Sequence, residues 1–507
     1  MSEQEKERPD LGAAAVRGVR WSMLARPLIE VVLFGSMVVL ARLISPAEFG
    51  RFAIALIVTE LALFIPTEGV GSALVQRKEL TRAHLQTGFA LTLIAGGLLA
   101  GLTLVLASSV IDPLFGARTA DLVRMSIPAF LIGALATVPA ALLRRRLAFG
   151  TLSVIEITSV VVRAAVGVGL ALAGLDAEAL VYAVVVSMVV AATLVWIAAP
   201  APPPRLHVAR AREILEYGLP ASLASISWVG FRNCDYALVG MRLGAAQAGY
   251  YFRAYSLAVE YQKKVSSVMG MLAFPVLSRT ADPEELARVR TQMVRTVTIV
   301  LFPVLVGLAI LAPAIIPWVF GAAWEPAVLP TQILAIGGAA TLVADVAGSS
   351  LMAMGRTRAL LGYGWAHFLV YAAGVYVFAP LGLAAVALVA AVVHAAFLWF
   401  AYALMLRGSG QSAIGQLWRD AGPAAVSCLA FAGAAVPAYA ALDSVGASPI
   451  ELLLGVAATG GPAYAVALRL LFPSAWTTVI RLLGRVLPSR GVARLRRLVP
   501  ASVRPGS

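Results

Sequence analysis

The sequence predicts an all-α polytopic membrane protein, on three observations. Of its 507 residues, 60% are hydrophobic and only 13% charged, with a mean hydropathy of +0.87. Single soluble cores stop growing at about 250–300 residues, so folding in water cannot hide that much apolar side chain. Second, apolar runs of about 20 residues or more recur along the chain, the length a helix needs to cross a bilayer. A membrane β-barrel would show shorter, alternating segments. Third, the basic residues are dispersed between these runs rather than gathered in one patch. The net charge of +14 therefore speaks for membrane topology and against nucleic acid as a partner.

Hydropathy and turn signals place fourteen spans at about 20–41, 51–73, 86–110, 122–143, 152–174, 178–199, 214–239, 249–277, 292–312, 326–354, 359–379, 382–405, 421–441 and 450–471. Breaks between them carry polar and turn residues: SPAEFG, QRKELTR, LFGAR, LRRRLAFG, GLDAE, APAPPPRLHVARAR, SRTADPEEL and GRTR. Even-numbered connections are basic. They hold Arg77, Lys78 and Arg82; Arg144, Arg145 and Arg146; Arg205, Arg210 and Arg212; Arg279, Arg288, Arg290 and Arg295; Arg356 and Arg358; Arg407 and Arg419. Odd-numbered ones offer Arg42, Arg51, Arg118, Arg124 and Arg242. The positive-inside rule then puts both termini in the cytoplasm. The start, MSEQEKERPD, has no apolar core of a cleavable signal before Trp21. Arg279–Met293 reads as a short surface helix. The tail from Arg481 to Arg504 mixes arginines with leucines and suits either an anionic membrane surface or surplus inside charge.

An internal repeat organises these spans. RLISPAEFGRF, from Arg42, is answered by RLGAAQAGYY, from Arg242. VIDPLFG, ending at Gly116, is answered by IIPWVFG, ending at Gly321, and LLRRR by MGRTR. The copies lie an even number of spans apart, so they enter the membrane in the same orientation and form parallel repeats. The expected architecture is two six-helix lobes around a central cavity, plus two C-terminal helices. In residues, about 1–19 form a cytoplasmic N-terminus, 20–199 the first lobe and 200–213 a cytoplasmic linker; 214–405 form the second lobe, 406–472 spans thirteen and fourteen, and 473–507 a basic cytoplasmic tail.

The spans carry charge. The stretch Asn233–Arg279 contains Arg253, Ser256, Glu260, Lys264 and Ser267 at helical spacing, a polar stripe on an otherwise apolar helix. Arg26, Arg163, Arg232, Arg253, Lys263 and Lys264 all fall inside expected spans. Each costs roughly 2.5–3.5 kcal/mol at a helix centre, so six facing lipid would cost on the order of 15–20 kcal/mol. They must face a partner or a water-filled cavity. Structural pairing is one reading: Glu260 with Lys264, Glu30 with Arg26, Asp235 with Arg232, Glu156 with Arg163. A cationic wall for an anionic substrate is the other. Cys234 and Cys428 read as packing residues, as do His367 and His394, and no His/Asp/Glu cluster has metal-ligand spacing.

RGVRWS at Arg17–Ser22, LARLISPAEFGRFA at Leu40–Ala53, GVGSALVQRKEL at Gly69–Leu80, DYALVGMRLGAAQAGYYFRAYSLA at Asp235–Ala258 and LAFPVLSR at Leu272–Arg279 resemble the polysaccharide transporter family. That family includes the Wzx-type oligosaccharide flippases of the multidrug/oligosaccharidyl-lipid/polysaccharide exporter superfamily. The resemblance covers about Arg17 to Arg407. It implies two six-helix lobes around a cationic cavity. It also implies movement of a polyprenyl-diphosphate-linked oligosaccharide across the plasma (inner) membrane for lipopolysaccharide, capsule or exopolysaccharide synthesis, by alternating access. The implied partners are that lipid-linked glycan, the bilayer, and a glycan polymerase and glycosyltransferases of the same pathway.

On that reading Arg26, Arg253 and Lys264, followed by Arg163 and Arg232, bind the diphosphate, because guanidinium forks match phosphate oxygens. Glu60, Asp235, Glu260 and Asp345 are the ion-coupling candidates, with Glu68 placed near the inner surface. No cofactor or metal is expected beyond coupling to a proton or sodium gradient, and no catalytic residue. A multidrug or cation antiporter should line its cavity with acid. A membrane glycan polymerase or ligase should carry a sizeable outer loop with a catalytic cluster. Neither feature is evident in the sequence.

Overall fold

The computed structural model describes residues 11–260, 283–354, 356–407 and 410–486, and among these all regular structure is helical. Contacts divide the chain into two units, Met1–Gly249 and Tyr250–Ser507.

The first unit runs through α1 (Leu11–Leu43), α2 (Pro46–Pro66), α3 (Ser72–Gln76), α4 (Arg82–Leu106), α5 (Asp112–Phe115), α6 (Ala117–Ser126), α7 (Pro128–Arg145), α8 (Phe149–Leu172), α9 (Ala177–Ala198) and α10 (Val208–Leu243). It ends at the start of α11 (Ala245–Tyr255). Local chemistry sets the boundaries. Ser45 caps α2 by accepting from the Glu48 N–H at 3.4 Å, and Pro46 opens the helix where no N–H is needed. Thr81 and His84 form a reciprocal cap on α4. Between α2 and α3, Thr67–Gly71 widens into a π-turn directly after Pro66, whose missing N–H interrupts the α-helical ladder. Gly69 there lies against Gly218 of α10.

In the second unit, α12 (Pro283–Phe320) is followed by a 3-10 turn (Ala322–Ala327), α13 (Val328–Ala353), α14 (Thr357–Phe378), a turn at Ala379–Leu381 and α15 (Leu383–Leu406). Then come α16 (Ala413–Ser444), α17 (Pro449–Leu471) and α18 (Pro473–Val486). Helices α16 and α17 pack on each other and on α12. Their core holds Phe431, Leu452, Val456, Tyr464 and Leu468, joined by Ala475, Trp476 and Ile480 from the amphipathic α18. The expected surface helix before span nine does not stand apart. Residues 283–293 are the first turns of α12, because no breaker separates Pro283 from Pro303, and Arg290 is buried.

Among the described residues, eleven helical stretches are long and apolar enough to cross a membrane. Each coincides with one of the expected spans. Helices α1 and α10 occupy the first and seventh expected positions, and α11 opens the eighth, most of whose continuation lies outside the described residues. The tail beyond Val486, where most of the expected surface segment falls, also lies outside them.

The repeat junctions share local geometry. Gly116 and Gly321, which close VIDPLFG and IIPWVFG, have φ of 85° and 102°, the region L side chains avoid. At the other matched pair, Gly50 and Gly249 bring helix backbones together reciprocally. A Cβ on Gly50 would run into the Ala245 carbonyl, and one on Gly249 into the Pro46 carbonyl, each four residues upstream of the facing glycine. Small residues permit such crossings in membranes, and nothing larger fits. Gly50→Ala or Gly249→Ala is therefore expected to destabilise the protein by about 1–3 kcal/mol, the usual cost of overpacking. Thermal unfolding in detergent checks this, with Gly97→Ala as the reference, since a Cβ at Gly97 meets nothing within 4 Å.

Candidate functional site

Three helices of the first unit bring charge together at mid-depth. Glu60 lies on α2, Arg163 on α8, and Arg232 with Asn233 on α10. At 1.5 Å per residue they sit about 21, 14 and 16 Å from the helix ends at Pro46, Leu172 and Leu243, within a hydrocarbon core about 30 Å thick. Arg232 forms an ion pair and hydrogen bond with Glu60 Oε1. Asn233 donates one Nδ2 hydrogen bond to Glu60 Oε2 at 3.0 Å and another to the Val229 carbonyl at 2.9 Å. The Glu60 and Arg232 side chains are 16% and 26% exposed, so the pair is shielded without being sealed.

Arg163 is the open member. It is half-buried and feels the attraction of the Glu60 carboxylate. Among the described residues its side chain makes no hydrogen bond or ion pair. Glu156 lies two turns before Arg163 on the same face of α8 and faces Arg26 of α1 at 3.5 Å. Arg26, Arg163 and Arg232 thus line up with Glu60 and Glu156 along one polar track.

The other expected site residues have different surroundings. Asp235 is buried on α10, and its Oδ1 accepts from the Tyr236 N–H at 2.9 Å. Arg253 is fully buried in the second unit, its guanidinium 4.7 Å from the ring centres of both Phe320 and Trp324. Ser256 is buried too, and the π-turn Ser256–Glu260 breaks the α-helical register on which the polar stripe was read. Asp345 is exposed on α13, with its charge felt by Tyr363 of α14. Lys263, Lys264 and Ser267 lie outside the described residues, as does the Glu260 side chain.

Asn233 was passed over in the sequence; its only signal was the polar triplet Asn233-Cys234-Asp235 in an apolar helix. A second cluster, at the start of α10, was also missed. Glu213 pairs with Arg77, accepts from Arg210 at 2.6 Å and meets His84 Nε2 at 3.1 Å. The Thr81 N–H donates to His84 Nδ1 at 3.2 Å, so Nε2 carries the hydrogen and donates to Glu213. That bond first, then the Arg210 and Arg77 charges, holds the Glu213 carboxyl below the usual range. Nearby, Arg145 caps the C-terminal end of α3, donating to the carbonyls of Val75 at 3.2 Å and Lys78 at 2.8 Å.

Residues 39–329 match the family model described as polysaccharide biosynthesis protein. The chain is 27% identical over 357 residues to the lipopolysaccharide biosynthesis protein WzxC of Escherichia coli (strain K12), covering 67% of this chain and 70% of that one. It is 28% identical over 381 residues to the teichuronic acid biosynthesis protein TuaB of Bacillus subtilis (strain 168), covering 73% and 77%. Its fold is similar to that of a solved structure described as lipid II flippase MurJ, inward closed conformation, with a TM-score of 0.73 at 14% identity over 90% of this chain and 99% of that one.

Two stability predictions follow from these clusters. Glu60→Gln leaves two guanidiniums without their carboxylate and is expected to cost a few kcal/mol, toward the roughly 3–5 kcal/mol of a broken buried pair. Glu60→Gln/Arg232→Gln should recover most of that loss in the same thermal melts. Glu213 has a depressed pKa, so its contribution is present above the ordinary carboxylate value of about 4.3 and lost as pH falls through the lower folded value. The Tm gap between wild type and Glu213→Gln should accordingly be full near neutrality and close at acid pH.

Proposed function

The chain belongs to the polysaccharide biosynthesis protein family, and from that membership we propose that it is a flippase for polyprenyl-diphosphate-linked oligosaccharide. It is a multi-pass membrane transporter with no catalytic role of its own. The observation that carries the substrate assignment is Arg163, an open guanidinium at mid-depth beside the Glu60–Arg232 pair. A diphosphate supplies what this cluster lacks, a second anion with several acceptor oxygens. Arg163 engages it by a two-pronged guanidinium contact, and Arg232 turns from Glu60 to share it. Glu60 keeps Arg232 compensated while the substrate is absent, which lowers the cost of holding two cations inside the membrane.

Arg26, two turns of polar track away and already facing Glu156, takes the diphosphate at one end of its path; Lys264 belongs to the proposed set as well. Arg253, held between two rings, anchors α11 and bears on transport through that packing. The glycan travels in water while the polyprenyl tail stays in lipid, and access alternates between the two leaflets. An open guanidinium at mid-depth disfavours cationic drugs as cargo. The same reading places the protein in the inner membrane with both termini cytoplasmic. Substrate arrives from glycosyltransferases and leaves to a glycan polymerase, with a proton or sodium gradient driving the cycle.

The test is translocation of a fluorescent short-chain polyprenyl-diphosphate sugar in proteoliposomes. Arg163→Gln breaks no ion pair among the described residues, so the variant should fold and melt like wild type. Its flipping rate should fall at least about tenfold, since hydrogen bonds to charged groups are worth about 1.5–3 kcal/mol. A normal rate in Arg163→Gln would remove the diphosphate from this cluster.

A further inference from the structure

The second unit holds a pair of histidines that the diphosphate reading does not use. His367 lies on α14 and His394 on α15, the two arms of a hairpin turning at Ala379–Leu381. Each is eleven residues from the helix end at that turn, Phe378 and Leu383, so both sit about 16 Å in, at the middle of a bilayer. Their rings meet edge to face with centres 5.2 Å apart, and each residue is only 9% exposed. His367 stacks on Phe397 with centres 4.5 Å apart and planes 17° apart.

The surroundings are suited to one positive charge. The face of Phe397 and the rings of Tyr363, 5.9 Å from His367, and Tyr371, 5.3 Å from His394, offer π-electron density to an imidazolium. The Tyr371 hydroxyl meets that of Tyr251 on α11 at 3.1 Å. From α13, the exposed carboxylate of Asp345 acts on Tyr363. From α16, Asp420 meets α15 at Tyr402, about two turns beyond His394, where it accepts the phenol at 3.0 Å. That carboxylate is already engaged by Thr291, Gln416 and, at 3.9 Å, Arg290. Two imidazolium rings in contact would repel strongly, so the pair binds its protons in coupled steps.

From this arrangement we infer that His367 and His394 form a proton-binding site at the membrane mid-plane, taking up one shared proton from water and releasing it on the other side of the cycle. The ligand is H⁺ itself. A pair buried merely as packing would stay neutral. The inference deepens the flippase reading, on which it rests only for what the proton drives.

The test reads protonation directly and needs no transport. Histidine rings are isotopically labelled in the full chain in lipid nanodiscs, and their NMR shifts are followed from about pH 5 to 8. The sequence has four histidines, so His84 and His207 give internal comparisons. His367→Gln and His394→Gln assign the two signals. The expected result is joint titration of the pair, amounting to one proton over this range, with either substitution shifting the midpoint of the remaining ring. Rings that both stay neutral throughout, or that titrate independently to two full charges, would overturn the site. A lost flipping activity with the titration intact would instead count against the flippase reading.

Discussion

Every charged side chain in a membrane span has to be compensated inside the protein, and the Glu60 carboxylate is where the first unit meets that demand. It draws Arg232 and Asn233 from α10 and attracts Arg163 of α8, so one acidic residue ties three helices together. Without the carboxylate the guanidiniums would each face the full cost of leaving water. With it, they are retained at mid-depth in a form still able to meet an anion. The cluster is therefore a structural joint, and on the proposed reading it is a binding surface as well, with Arg163 separating the second role from the first.

The two units use different chemistry for the same problem. In the first, Arg26 and Arg232 are met by carboxylates on other helices. In the second, Arg253 is met by aromatic faces and Arg290 by a carboxylate held in a network of neutral donors. A cation spread over two ring faces is fixed in place and leaves little reach toward a ligand. A cation beside a shared carboxylate can exchange partners. This contrast is why the diphosphate is proposed for the first unit, although the sequence put Arg253 among its leading candidates.

Close backbone approach is the second constraint. Gly50 and Gly249 occupy equivalent places in the two copies of one motif and are the residues through which those copies touch. The sequence signal was the motif Arg-Leu, small residues, Glu or Gln, then Gly and an aromatic. Its physical content, helices crossing at van der Waals distance of their backbones, explains why the glycine position recurs while its neighbours vary.

Composition and hydropathy alone determined the fold class, because lipid leaves a chain of this apolarity few ways to satisfy its backbone. They also located the spans and the charges within them, since both are properties of short windows of sequence. What only tertiary structure decided was partnership. Sequence spacing offered Glu30 to Arg26 and Asp235 to Arg232, because residues three and four apart are the neighbours a single helix provides. The fold also brings Arg26 to Glu156 and Arg232 to Glu60, 130 and 172 residues away. It likewise pairs His367 with His394 across a hairpin. Such contacts depend on which helix faces touch, and that is set by packing of whole helices rather than by any local pattern.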